Sequence, residues 1–199
     1  MARPKQFDPE QAMQEAMEAF WENGYSATSV HDLLEEMGLN RGSLYGTFGD
    51  KKKLFLAVLD KYDQQRVEDF RRILEEPESA ELALRNLFGR VVAECTSEDA
   101  GRGCLAAKAA MELAPHDKDV AAWLRKFHRR NVSMVAKVIE RGQKRGEISR
   151  SICADVAAKF ILNNIAGLRL LGAMTPSGNE VRQVVEMVLD TLLNTPIDR

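Results

Sequence analysis

Apolar residues recur along this chain at helical spacing. Met13, Ala16, Met17 and Phe20 stand at i, i+3, i+4 and i+7, one face of a helix. Asp8-Pro9 before them reads as an N-cap followed by proline at the first helical position, and Gly24 as the end. Val30, Leu33, Leu34 and Met37 repeat the stripe between Ser29, with Asp32 three residues on as a capping box, and Gly38. Asn40 then caps a short third segment with Leu44 and Phe48 on one side, and Gly49-Asp50 breaks it and caps a fourth. Leu54, Val58 and Tyr62 give the fourth its buried edge, and Pro77 follows its end.

The same period continues. Leu84, Leu87, Phe88, Val91, Val92 and Cys95 form a fifth stripe; "TSEDAGRG" reads as a polar loop; "CLAAKAAMELA" reads as a short helix stopped by Pro115. A long helix from about Asp117 to Arg141 carries Val120, Leu124, Phe127, Val135 and Val138, and "RGQKRGEIS" turns the chain. "ICADVAAKFILNNIAGLRLLGAM" reads as a long apolar helix. Ser177 with Glu180 makes another capping box, ahead of Val181, Val184, Val185, Val188 and Leu192, and Pro196 closes that stripe. No period-2 alternation competes, so the pattern predicts an all-α chain of about nine helices.

Composition narrows the function classes. The 199 residues are 45% hydrophobic and 29% charged, with a formal charge of -2, as in a soluble globular protein with a core of its own. Asn163, Asn164 and Arg169 interrupt the most apolar stretch, so no membrane span is expected, and the N-terminus lacks a secretory h-region. Cys95, Cys104 and Cys153 are odd in number and form no C-x-x-C, which suits reduced thiols in a cytoplasm. His31, His116 and His128 lack metal-ligand spacing, and "HDKD" at His116–Asp119 reads as a helix-start cap. No catalytic set, metal or cofactor is expected.

The second and third segments are joined only by "GLN", Gly38–Asn40, the geometry of a helix-turn-helix whose second helix enters the major groove. No acid occurs from Met37 to Gly49, although residues 1–53 hold six Lys/Arg against nine Asp/Glu. Phosphates repel carboxylates, so the acid-free stretch suits a DNA-facing surface. Gly42 and Gly46 lie on one face and allow close backbone approach. Arg41 and Ser43 in the first turn, and Tyr45 beside the glycines, are candidates for base or phosphate contacts. Lys51, Lys52 and Lys53 open the next helix, whose N-terminus favours anions, as does the start of the second helix at Thr28 and Ser29. Arg3 and Lys5 are placed to follow the minor groove.

"ATSVHDLLEEMGLNRGSLYGTFGDKKKLF" closely resembles the helix-turn-helix of the TetR family of bacterial transcriptional regulators. Thr28, Ser29, Gly38, Gly42, Leu44, Tyr45, Phe48 and Lys51 fall at the family's motif positions, and "RGEI" at Arg145–Ile148 is compatible with its C-terminal part. The match departs at Leu34, where the family often has a small alanine, implying slightly wider packing of the two motif helices. The resemblance implies a DNA-binding domain over residues 1–49 and a ligand-binding and dimerisation domain over 50–199. It further implies a homodimeric repressor that binds a palindromic double-stranded operator and is released by a small-molecule effector.

The last two long helices carry more apolar surface than one face needs: Ile161, Ile165 and Leu168, extended by Leu162, Ala166 and Ala173. That surplus suits plain core or half of a four-helix dimer bundle; the resemblance favours the dimer. "GCLAAKAAMELAPHD" resembles the sixth helix of one TetR subgroup. Cys104, Met111, Trp123 and Phe127 are the candidates for an effector pocket, though such residues are more often core. Cys104, after Arg102 and near a helix start, also allows a thiol-sensing regulator as the alternative, with a switch disulfide to Cys95 as its extension. A helical binding module or enzyme that never touches DNA is the alternative of another class. "RKFHRR", Arg125–Arg130, reads as a solvated face.

Overall fold

The computed structural model describes residues 7–175 and 178–194. Among them the chain forms α1 (Pro9–Ala27), α2 (Val30–Glu36), α3 (Arg41–Phe48), α4 (Lys51–Glu75), α5 (Ala80–Cys95), α6 (Leu105–Glu112), α7 (Lys118–Arg145), α8 (Ala154–Met174) and α9 (Gly178–Leu193). There is no strand among the described residues. The stretch "TSEDAGRG", expected as plain loop, contains a 3-10 turn at Glu98–Arg102. Arg3, Lys5, the Ser177 cap and Pro196 lie outside the described residues.

The chain divides into two compact units: residues up to Gln65 with Leu105–Ala121, and Arg66–Cys104 with Ala122 onwards. α4 and α7 therefore contribute to both. Local signals set the helix ends of the first unit. Asp8 accepts from the Glu10 amide at 2.9 Å, and Pro9 occupies the first turn. The Ser29–Asp32 capping box is complete, with bonds of 2.7 and 3.1 Å. The Asn40 carboxamide accepts from the Ser43 amide at 2.9 Å, and Asp50 from the Lys53 amide at 2.8 Å. Gly38 (φ 61°) and Gly49 (φ 83°) take the left-handed conformation at the ends of α2 and α3. Gly24, expected to end α1, instead breaks it internally (φ 80°, ψ 177°), and the element runs on to Ala27.

Ala12, Ala16, Met17 and Phe20 of α1, Leu33 and Met37, Leu44, and Leu54, Phe55, Val58, Leu59 and Tyr62 of α4 are buried. Phe20 and Phe55 meet edge to face at 4.9 Å. Leu34 is only half-buried, so part of its bulk points away from the core.

The second unit is a helical bundle in which α5, α8 and α9 pack on one another around Leu84, Phe88, Val91, Ile139, Ile161, Ile165 and Val188. Glycines mark the tightest crossings. A Cβ on Gly172 would stand 2.7 Å from the Cys95 Cβ, and one on Gly142 2.7 Å from the Ala80 Cβ. "RGEI" has a structural reason: Gly146 (φ 74°) ends α7, the Glu147 carboxylate accepts from the Ala80 amide at 2.6 Å to cap α5, and Ile148 is buried. Arg141 caps the other end of that connection by donating to the Leu74 carbonyl at 3.0 Å.

α8 is long and apolar enough to cross a membrane by length and composition, with mean hydropathy 1.2 over its best window. In this fold its Ile161–Ile165–Leu168 face lies in the core, and its Arg169 pairs with Glu94 at 2.8 Å. Glu94 also takes Arg66 at 2.6 Å and Arg90 at 3.1 Å. Burial works to raise the Glu94 carboxyl, but the charges of Arg169 and Arg66 outweigh it and hold it below the ordinary range.

Candidate nucleic-acid interface

α3 is short, and its two sides differ sharply. Leu44 is fully buried, and Ser43 and Phe48 are half-buried. Arg41, Gly42, Gly46 and Thr47 are exposed, and Tyr45 is 47% exposed. A Cβ on Gly46 would meet nothing within 4 Å, so the chain's own packing does not require glycine there. The side of Arg41 and Tyr45 thus offers one guanidinium, one phenol and two positions without side chains. Thr47 was not singled out from the sequence; it is exposed, but on the other side of α3 from Tyr45.

The anion-binding groups expected around α3 are only partly presented. Ser29 is exposed; its oxygen already accepts from the Asp32 amide at 3.1 Å, which leaves the hydroxyl proton to donate. The bond from the Ser29 amide holds the Asp32 carboxyl below its usual range, so a negative charge persists at the start of α2.

Thr28 is placed differently from a phosphate contact. It is 1% exposed, and its hydroxyl donates to the Gly24 carbonyl at 2.6 Å, closing the α1–α2 junction from inside.

The three lysines at the start of α4 part company. The Lys51 ammonium sits 4.2 Å above the Tyr25 ring, and burial pulls its pKa down, against the charges of Glu112 and Asp32. Lys52 bridges Asp117 at 2.8 Å and Asp119 at 2.7 Å, which pushes its pKa up. Lys53 is exposed, its stem lying against Gly49. Asp117 also caps α7 through the amides of Asp119 and Val120, as "HDKD" suggested. Successive helical residues point about 100° apart, so a run of lysines in sequence is not a patch in space.

The four effector-pocket candidates do not share one unit: Met111 belongs to the first, and Cys104, Trp123 and Phe127 to the second. Met111 is 85% exposed. Trp123 and Phe127 are half-buried and stack at 5.2 Å with their planes 14° apart, and the Arg130 guanidinium lies 5.6 Å over Phe127. Arg125, Lys126, His128 and Arg129 are exposed, as a solvated face requires. Cys104 is half-buried and Cys153 exposed; Cys95 is buried, and burial pushes its thiol pKa up, an unreactive setting. An open groove of about 330 Å³ between α8 and α9 is lined by Asn163, Asn164, Gly167, Leu168, Leu171 and Val184. No cluster of His, Cys, Asp or Glu among the described residues has metal-holding geometry.

Two short helices with a glycine turn, an exposed acid-free second helix and a helical bundle define a helix-turn-helix DNA-binding transcriptional regulator. Residues 12–58 match the bacterial regulatory proteins, tetR family, and residues 89–194 match the BetI-type transcriptional repressor, C-terminal. The chain belongs to the TetR family of bacterial regulators.

It is 32% identical over 188 residues to the HTH-type transcriptional repressor ComR of Escherichia coli K12, spanning 94% of this chain and 90% of that protein. It is 27% identical to the HTH-type transcriptional regulator YezE of Bacillus subtilis 168, spanning 96% and 100% of the two chains. A cysteine-substituted form of the TetR family regulator CifR, solved in complex with 26-bp double-strand operator DNA, is similar with a TM-score of 0.86 and 29% identity. That match spans 96% of this chain and 100% of that one.

Proposed function

We propose that this chain is a cytoplasmic repressor without enzymatic activity that binds a palindromic double-stranded operator as a homodimer and is released by a small-molecule effector. The observation that carries the DNA-reading part is the exposed side of α3: Arg41, Gly42, Tyr45 and Gly46 with no carboxylate among them. The backbone at the glycines approaches the groove, Arg41 and Tyr45 reach base edges or phosphates, and Ser43 and Ser29 donate to the phosphate backbone. Thr28 serves by shaping the junction before α2, and Lys51 by a charge held near it. The likeness to the repressor ComR and to the C-terminal part of BetI-type repressors supports the sign of regulation, and the operator complex of CifR supports the partner.

The dimer reading rests on α8 and α9. Val156, Phe160, Leu170 and Met174 on α8, with Val184 and Met187 on α9, are exposed apolar side chains, more than a solvated face needs. Paired about a two-fold, they make a four-helix bundle and set two copies of α3 one helical turn of DNA, or a multiple of it, apart. Residues 1–49 are assigned to DNA recognition and 50–199 to dimerisation and effector binding, with α4 as the covalent link. Trp123, Phe127 and Cys104 are retained as effector-pocket candidates. The effector acts by binding better to the form whose α3 spacing misfits the operator.

The test is an equilibrium titration of DNA from upstream of the gene, at fixed salt, with wild type and Tyr45→Ala. Sequence-specific binding that Tyr45→Ala weakens without loss of fold or dimer is expected; equal affinity of the two proteins would sink the assignment of α3.

A further inference from the structure

α1 breaks at Gly24, and the break separates two pairs of backbone groups that a continuous helix would join: the Trp21 carbonyl from the Tyr25 amide, and the Glu22 carbonyl from the Ser26 amide. α6 supplies both substitutes. The Lys108 ammonium donates to the Trp21 carbonyl at 2.7 Å and the Glu22 carbonyl at 3.2 Å. One turn later on the same helix, the Glu112 carboxylate accepts from the Tyr25 amide at 2.9 Å and the Ser26 amide at 2.6 Å. We propose that Lys108 and Glu112 are positioning residues for DNA recognition, a two-point clamp that fixes the angle at which the chain leaves α1 for α2 and α3. The proposal rests on the assignment of α3 as the DNA reader.

Other contacts make the junction a socket for this clamp. Gly24 has φ 80°, and a Cβ there would stand 3.1 Å from the Glu112 carboxylate. The Tyr25 ring is held against Phe55 at 5.0 Å and beneath the Lys51 ammonium. The Thr28 hydroxyl closes the far side on the Gly24 carbonyl, and Ser29 begins α2 at once. Three residues, Ala27, Thr28 and Ser29, thus separate the clamp from the first residue of α2, and a change of backbone direction there is carried into α2 and α3. Burial works to raise the Glu112 carboxyl, and the hydrogen bonds from Ser26 and Tyr25 hold it below the ordinary range, as a carboxylate bound to two amides should be.

Charge and positioning predict opposite signs, which gives the test its edge. Removing an anion from a DNA-binding unit strengthens binding by electrostatics alone. The clamp predicts weakening. The full-length protein is titrated with its operator duplex by fluorescence anisotropy over a salt series, using wild type, Glu112→Gln, Glu112→Ala and Tyr45→Ala, well below each protein's Tm.

Glu112→Gln, which keeps the shape but can accept from only one amide in the same pose, is expected to bind roughly tenfold more weakly, with a shallower salt slope; Glu112→Ala is expected to lose at least as much. Folded Glu112 variants that bind as tightly as wild type, or tighter, would overturn the clamp. Amide hydrogen exchange at Tyr25 and Ser26 in the wild type reads the clamp without DNA: protection supports it, and exchange at the rate of an open loop overturns it. If Tyr45→Ala also binds like wild type, the assignment of α3 fails instead, and the exchange result still decides whether the clamp exists.

Discussion

Gly46 on α3 and Gly167 on α8 are alike in one respect. Both lie inside helices, both are exposed, and a Cβ on either would meet nothing within 4 Å. Glycine in a helix interior costs about 1 kcal/mol relative to alanine. At Gly172 a close neighbour explains the cost; at Gly46 and Gly167 nothing in the chain does. Openness alone names no partner, since Gly89 is equally open; the surroundings of Gly46 and Gly167 are what set them apart. Gly46 sits with Arg41, Gly42 and Tyr45, a polar and cationic face suited to a phosphodiester duplex. Gly167 sits with Leu168, Leu171 and Val184, with Asn163 and Asn164 one turn before it, a mainly apolar groove that the proposed reading gives to a second copy of the same helix pair. On the proposed reading the same backbone device serves two partners, and the side chains around it choose between them.

The comparison breaks most visibly at the apolar face. Leu170→Glu places a carboxylate where the second copy is expected to pack, and an unpaired buried charge costs about 3–5 kcal/mol. Dimer dissociation measured by analytical ultracentrifugation should rise by roughly 100-fold or more, and operator binding should fall with it; a dimer of unchanged stability would remove α8 from the interface.

At the polar face the effect is smaller and confined to DNA. Arg41→Ala should weaken operator binding by about 1–3 kcal/mol in the same titration while the sedimentation of the free protein stays unchanged.

The glycines themselves sharpen the contrast. Gly46→Ala and Gly167→Ala should each raise helix stability by up to about 1 kcal/mol, a Tm gain of about 2–4 °C by calorimetry of the unassociated chain. The first should then bind operator severalfold more weakly, and the second should dimerise more weakly. Gly89→Ala is the control: Gly89 is also helical, exposed and open, but has no role in either face, so only the Tm should move.

The last effect concerns neither partner. Glu94→Gln should lower stability by about 1–3 kcal/mol at neutral pH. Because the folded carboxyl is held below its unfolded value, that difference is complete above the ordinary carboxylate pKa. It fades as pH falls through the depressed one, as urea midpoints against pH will show.

Much of this was legible in the sequence because its signals act over three or four residues. Asp8-Pro9, the Ser29–Asp32 box, Asn40 and the glycines at 38 and 49 each act on their own turn of chain, and each helix began or ended where they stand. Gly24 was read as a stop because a positive-φ glycine usually is one; it is a break instead because α6 satisfies the backbone groups it frees. Lys108 and Glu112 lie 86 or 87 residues from their partners, and no local pattern marks them. The lysine run was read as an anion-favouring helix start; adjacency in sequence hides direction around the helix, where Lys51 turns to Tyr25 and Lys52 to Asp117 and Asp119. The exposure of Met111 was equally hidden: a methionine in an alanine-rich helix does not say which face is covered.

The central claim is that the bare, acid-free side of α3 reads duplex DNA, and footprinting on the region upstream of the gene tests it most directly. Wild-type dimer should protect two half-sites related by a two-fold axis and spaced by one helical turn or a multiple of it. The Arg41→Ala, Tyr45→Ala double variant, still folded and dimeric, should leave both half-sites open at the same concentration. Equal protection by the two proteins would contradict the claim.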